Sequence, residues 1–189
     1  MTVDDGDTHG RARAITLLSP IKPAGALRTW LTMAAVRQFP SIMGIRKLRS
    51  VHFIRWSLLT SIPYNGSPQV PDGLAQPILV WESTFNGVLE PYIEAFTYVV
   101  GRQIDQTWAE AYGFPGTRSI TALKRYIGAL TVPGAYYFAA HPTATVRTIL
   151  SGLEVAREHR YLVEAARTSS PEEFAAIYHG FLTRRQGDL

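Results

Sequence analysis

The chain has 189 residues and a mass of 21.0 kDa, with 46% hydrophobic and 18% charged residues, the balance of an ordinary globular protein rather than a disordered or membrane-spanning one. It contains no cysteine, which excludes disulfides, thiolate metal sites and a cysteine nucleophile. The formal charge of +4, with 16 arginines against 3 lysines, is modestly basic and lacks the repeated basic spacing of a specific nucleic-acid module.

The opening stretch MTVDDGDTHGRARA has no apolar core, which predicts no secretory signal. No apolar run approaches the about 18 residues of a membrane span, so a cytoplasmic location is the expectation. Residues 1–12 show no periodicity and are expected to form a disordered tail, leaving 13–189 as a single domain. Ala14 to Ser19 is a short apolar run that ends at Pro20 and suits a buried strand. Pro23 then opens a helix over Ala24 to Gln38, because proline's missing donor costs nothing in a first turn. Its expected buried stripe is Leu27, Trp30, Leu31, Ala34 and Ala35, with Arg28 and Arg37 off it and Pro40 as the stop.

A basic loop with Arg46, Lys47 and Arg49 leads to the central pair of strands, VHFIRWSLL from Val51 and PILVWESTFNG ending at Gly87. Both are rich in β-branched and aromatic residues, and the long connection between them is dense in Pro, Gly, Asn and Asp. The basic cluster that runs into Arg55 is read as a solvated loop, with an anion-facing patch as the alternative. Val88 to Tyr112 predicts a helix that bends or divides at Gly101. Ser119 caps a short helix, ITALKRYIGAL, and AYYFAA at 135–140 is the fourth strand candidate. Thr143 is the expected cap of a long helix whose buried face is Val146, Ile149, Leu150, Leu153 and Ala156. The last helix has the clearest start: Ser170 as cap, Pro171 in first position and Glu173 as capping-box partner.

This order, β-α-β-β-α-(α)-β with two extra C-terminal helices over 143–186, predicts an α+β protein with the antiparallel sheet of a ferredoxin-like fold. Both faces of the central strands carry large apolar residues. A second copy of the sheet is the simplest cover for the face away from the helices, so a homodimer is expected.

The runs ITLLSPIKP, VHFIRW, VWESTFNG, YIEAF, IDQTWAEAYGFPG and AAHPTATVRTI, spread over about residues 14–155, resemble a family of largely uncharacterised bacterial and fungal proteins. Such proteins look like members of the dimeric α/β-barrel superfamily, which includes cofactor-free monooxygenases, small isomerases, chlorite dismutases and dye-decolourising peroxidases. The resemblance implies the fold and a cleft between sheet and helices; it carries over no catalytic residue.

His52, Arg55 and Glu82 are the polar residues inside the central pair, where a charge needs a partner or a wet cleft. If Ile54 lies opposite Glu82, then His52 and Glu82 sit diagonally on one face as a candidate general base and its orienting carboxylate, or as a structural pair. A shift of one residue separates them. Arg55 is a candidate clamp for a ligand's carboxylate or phosphate, with a structural bond as the alternative. Trp56 and Trp81 are candidates to line an apolar ligand pocket, although core and dimer contacts explain them, like Trp30, Trp108, Tyr136 and Phe138, most simply.

No motif implies a cofactor, and no two histidines stand at metal-ligand spacing on one predicted helix. Haem-binding relatives use a histidine on a late helix, which makes His159 and His179, with His141 before them, the residues to consider for haem. The functional expectation is a small-molecule-binding protein, with an oxidoreductase-type activity on an apolar or aromatic substrate. The alternative is a non-catalytic accessory or protein-interaction module.

Overall fold

The computed structural model describes residues 7–39, 44–70, 72–134 and 136–186. The chain divides into two compact units, 1–143 and 144–189, where the sequence predicts one domain over 13–189. The first unit is α+β, and its five-stranded sheet is antiparallel at every pairing. Its strands are β1 (Asp7–His9), β2 (Ala12–Pro20), β3 (Val51–Ser61), β4 (Gly73–Asn86) and β5 (Thr131–Val132). The sheet order is β1–β2–β4–β3, and β5 pairs with the β1-side edge of β2 through Thr16 and Leu17. The expected tail over 1–12 is therefore a strand from residue 7, and residues 1–6 lie outside the described residues.

Three helices belong to this unit: α1 (Ala26–Gln38), α2 (Leu89–Thr107) and α3 (Ile120–Leu130). Helix α2 leaves helical geometry at Val100 (φ −128°, ψ 23°), beside Gly101, where the sequence predicts the bend. A Cβ at Gly101 would stand 3.3 Å from the Thr117 hydroxyl, and Thr117 is itself held by Asp105 through two bonds of 2.9 Å. Ser119 accepts from the Ala122 amide and caps α3 as its position predicts.

The core lies on one face of the sheet. Ile15, Leu17 and Ser19 of β2 stand beside Leu79, Trp81, Ser83 and Phe85 of β4, all buried against α2 and α3. Phe85 stacks on Tyr92 with ring centroids 3.9 Å apart, and Trp81 meets Phe96 at 5.7 Å and Trp108 at 5.9 Å. Two pairs of buried polar groups bond here, Ser83 with Tyr92 at 2.8 Å and Trp108 Nε1 donating to Ser19 at 3.1 Å, whereas the enclosed Trp81 Nε1 and Tyr126 Oη have no partner among the described residues. Burial holds the Tyr92 phenol far above its ordinary range, with the Ser83 bond opposing.

Three expectations need correction. The fourth strand is Thr131–Val132, not 135–140; residues 136–139 form no strand, and residue 135 lies outside the described ones. That segment instead runs beside β1, with the Ala139 amide donating 2.9 Å to His9 Nδ1 and Phe138 against the His9 ring. Second, α1 presents a different stripe from the predicted one. Thr29 is buried and Ala26, Met33 and Val36 half-buried, whereas Leu27, Trp30 and Leu31 are 68%, 57% and 52% exposed. Both stripes have helical spacing, and the surroundings choose between them. The Glu110 carbonyl takes the Lys22 amide at 3.0 Å, and its carboxylate takes the Arg28 guanidinium at 2.6 Å. These bonds hold the helix entry with Thr29 turned inward. The predicted stop, Pro40, lies outside the described residues.

The second unit consists of α4 (Val146–Thr168) and α5 (Pro171–Arg185). Ser170 and Glu173 make the reciprocal capping box that the sequence predicts, while the cap of α4 is Thr145 rather than Thr143. Arg185 bonds Glu158 and reaches Glu154, and Arg184 also reaches Glu158, which ties the end of α5 to the middle of α4. The third correction falls here: Ile149, Leu150 and Leu153, predicted as the buried face of α4, are exposed, and Ser151 is the buried residue instead. Among the described residues no helix is long and apolar enough to cross a membrane.

Candidate functional site

The register of β3 against β4 decides what the central polar residues can do. Ile54 pairs with Ser83 and Arg55 with Glu82, and an irregularity between Val51 and Phe53 leaves His52 without an opposite residue. The pairing that would set His52 diagonally from Glu82 is not the one formed. Residues paired across a sheet share a face. Glu82 therefore stands with Arg55, and their side chains approach to 3.7 Å while 68% (Arg55) and 39% (Glu82) exposed. Both are on the face opposite the aromatic core. His52 is half-buried at the irregularity, with its Nε2 enclosed and unpartnered among the described residues.

The core face of β3 carries Ile54, Trp56 and Leu58, opposite Ser83, Trp81 and Leu79. Helix α1 covers this edge incompletely. A cleft of about 430 Å³ remains there, lined by Trp30, Thr32, Met33, Ala34, Val36 and Arg37 of α1, by Trp56, and by Thr107 at the end of α2. Its volume falls in the range of small-molecule sites. Trp56 is the one sequence-predicted ligand residue that lines it. The Trp56 Nε1–H is enclosed and has no partner among the described residues. Trp81 instead is 3% exposed and borders a small pocket of about 30 Å³ with Trp108 and Tyr126, room for about one water. Tyr126 Oη points toward Ser19 without a hydrogen bond of good geometry, and burial pushes its phenol upward.

Met33, Arg37 and Thr107 were not legible as site residues, and Trp30 was legible only as one aromatic among several. Trp30 sits on the expected core stripe, Arg37 off it, and only the rotation of α1 about its axis brings both to one cleft. His141, His159 and His179, the residues considered for haem, are exposed: His141 on a loop, His159 on α4 and His179 on α5. Among the described residues no three of His, Asp and Glu gather as a metal site. No protein-family model matches the chain, and neither does any curated protein or solved structure.

Proposed function

We propose that this chain is a small-molecule-binding protein of ferredoxin-like architecture that holds an apolar or aromatic ligand between α1 and β3. The strand order supports the architecture. With β1 set aside, β2, β3, β4 and β5 stand in the sheet as β5–β2–β4–β3, the fourth, first, third and second in chain order. Helix α1 joins the first two, and α2 with α3 joins the last two, the split pattern of that fold. The resemblance to the dimeric α/β-barrel superfamily agrees with this order.

The observation that carries the functional reading is the cleft itself, an open apolar space walled by two tryptophans and a methionine, with a buried indole N–H left unpaired. The described residues of its lining are apolar or neutral apart from Arg37, and the proposal is one of binding. Titration with indole and 2-naphthol, followed by tryptophan fluorescence, tests it. Saturable quenching that Trp56→Ala removes is the expected result; no saturable change with either compound up to millimolar concentration defeats the reading.

A second reading rests on the opposite sheet face. Phe53 and Leu59 of β3 and Val132 of β5 are exposed there, around the half-buried Leu18, Ile78 and Val80. The adjacent Arg55 and Glu82 make the β3–β4 side of that face self-complementary, since a two-fold axis beside them sets each arginine near the other copy's glutamate. This supports a homodimer through the sheet. Trp56 and Trp81, expected to contribute to that face, point to the core side instead. Light scattering at micromolar concentration separates the cases: a mass near twice 21.0 kDa supports the dimer, and the monomer mass refutes it.

A further inference from the structure

The polar groups of the cleft point to a ligand of one charge class. Thr32 spends its hydroxyl proton on the Arg28 carbonyl at 3.0 Å, and Thr107 spends its own on the Gln103 carbonyl at 2.8 Å. The donors that remain in the lining are the indole N–H of Trp30 and the guanidinium of Arg37, which makes no ion pair among the described residues, while the Trp56 N–H is enclosed within the wall. Among the described residues no acidic one lines the cleft. It therefore presents one full positive charge and unsatisfied N–H groups, with no fixed negative charge to receive a cation. The C-terminal end of α1 at Gln38 contributes only about half a negative charge, which Arg37 outweighs. A carboxylate accepts from both donor types, and a guanidinium receives it through two parallel bonds. The indoles of Trp30 and Trp56 supply the surface on which an aromatic ring stacks.

We propose that the cleft takes an aromatic carboxylic acid, its ring system on Trp30 and Trp56 and its carboxylate met by Arg37. This rests on the cleft reading above and adds the charge of the ligand to it. Calorimetric titration with 1-naphthoic acid and with the neutral 1-naphthamide tests it, at one fixed low ionic strength. On the wild-type protein the acid is expected to bind at least tenfold more tightly than the amide. In Arg37→Met that ratio falls toward one, and in Arg37→Lys part of it is retained. Circular dichroism of each variant checks that the fold is kept; Arg37 is exposed, so a surface substitution there is well tolerated. Equal affinities of acid and amide for the wild type, or an undiminished ratio in Arg37→Met, overturn the inference. Amide binding that Trp56→Ala weakens would in those cases leave the cleft reading standing. Failure of both compounds to bind at millimolar concentration removes the cleft reading and this inference with it.

Discussion

Arg55 stands directly across from Glu82, guanidinium to carboxylate 3.7 Å apart, on the sheet face that lies away from the aromatic core. Mid-strand charges suggest a buried pair, whose disruption would cost several kcal/mol. The exposure of these two side chains argues otherwise, because solvent screens the attraction and an exposed pair is worth about 0–1 kcal/mol. Arg55→Met is therefore expected to change unfolding free energy by less than about 1 kcal/mol. Urea unfolding followed by tryptophan fluorescence reads this out; all four tryptophans lie in the first unit, so the signal belongs to that unit alone. A loss of about 3 kcal/mol or more would mean that the pair is buried in solution, as in a sheet-to-sheet dimer.

The hydrogen bond between Ser83 and Tyr92 joins β4 to α2 inside the core, next to the stacked rings of Phe85 and Tyr92. Removing one partner strands the other without water. Ser83→Ala and Tyr92→Phe are each expected to cost about 1–3 kcal/mol. The double variant should cost clearly less than the sum, because both groups then disappear together. Strict additivity in the same unfolding assay would show that the bond contributes no coupling.

Gly10 and Gly113 have nearly the same backbone, φ +66° and +69°, but different surroundings. A Cβ at Gly10 would sit 2.2 Å from the Pro142 carbonyl oxygen and 2.6 Å from the Pro142 Cβ, whereas one at Gly113 meets nothing within 4 Å. Both alanine variants carry the left-handed strain of about 1–2 kcal/mol. Gly10→Ala must in addition push the 142 segment away, breaking the 2.7 Å bond from the Arg11 amide to the Pro142 carbonyl. Gly10→Ala is expected to lower the melting temperature by at least twice as much as Gly113→Ala. Equal shifts would show that the segment after β5 is not held against β1.

The second unit is expected to loosen in acid. The Arg185 guanidinium beside Glu158 and the Ser170 backbone amide on Glu173 both hold their carboxylates below the ordinary glutamate range. A depressed folded-state value means that the stabilisation is complete above the unfolded value and is lost as pH falls through the folded one. Amide-exchange protection across α5, corrected for intrinsic rates, should therefore be constant near neutrality and fall below the ordinary glutamate range. The Glu158→Gln/Glu173→Gln variant should show lower protection near neutrality and a flatter pH profile. A wild-type profile as flat as that of the variant would contradict these partners.

What the sequence determined by itself is local. The Ser119 cap, the Ser170–Glu173 capping box and the bend beside Gly101 depend on residues a few positions apart, and β3 and β4 each carry strand composition within their own run, so these signatures survive without knowledge of the rest. The strand and helix order carried the antiparallel α+β class for the same reason. Tertiary structure decided what the local period leaves degenerate. Helix α1 carries two stripes of helical spacing, and the Glu110 contacts select the one through Thr29, which exposes Trp30 and opens the cleft. The irregularity at His52 sets the register, and with it the choice of Arg55 as the neighbour of Glu82. AYYFAA has strand composition, yet Thr131–Val132 takes the edge of β2, because a strand also needs an unpaired neighbour within reach. In each case the deciding free energy comes from residues distant in sequence, such as Glu110 for α1 and Thr16 for β5.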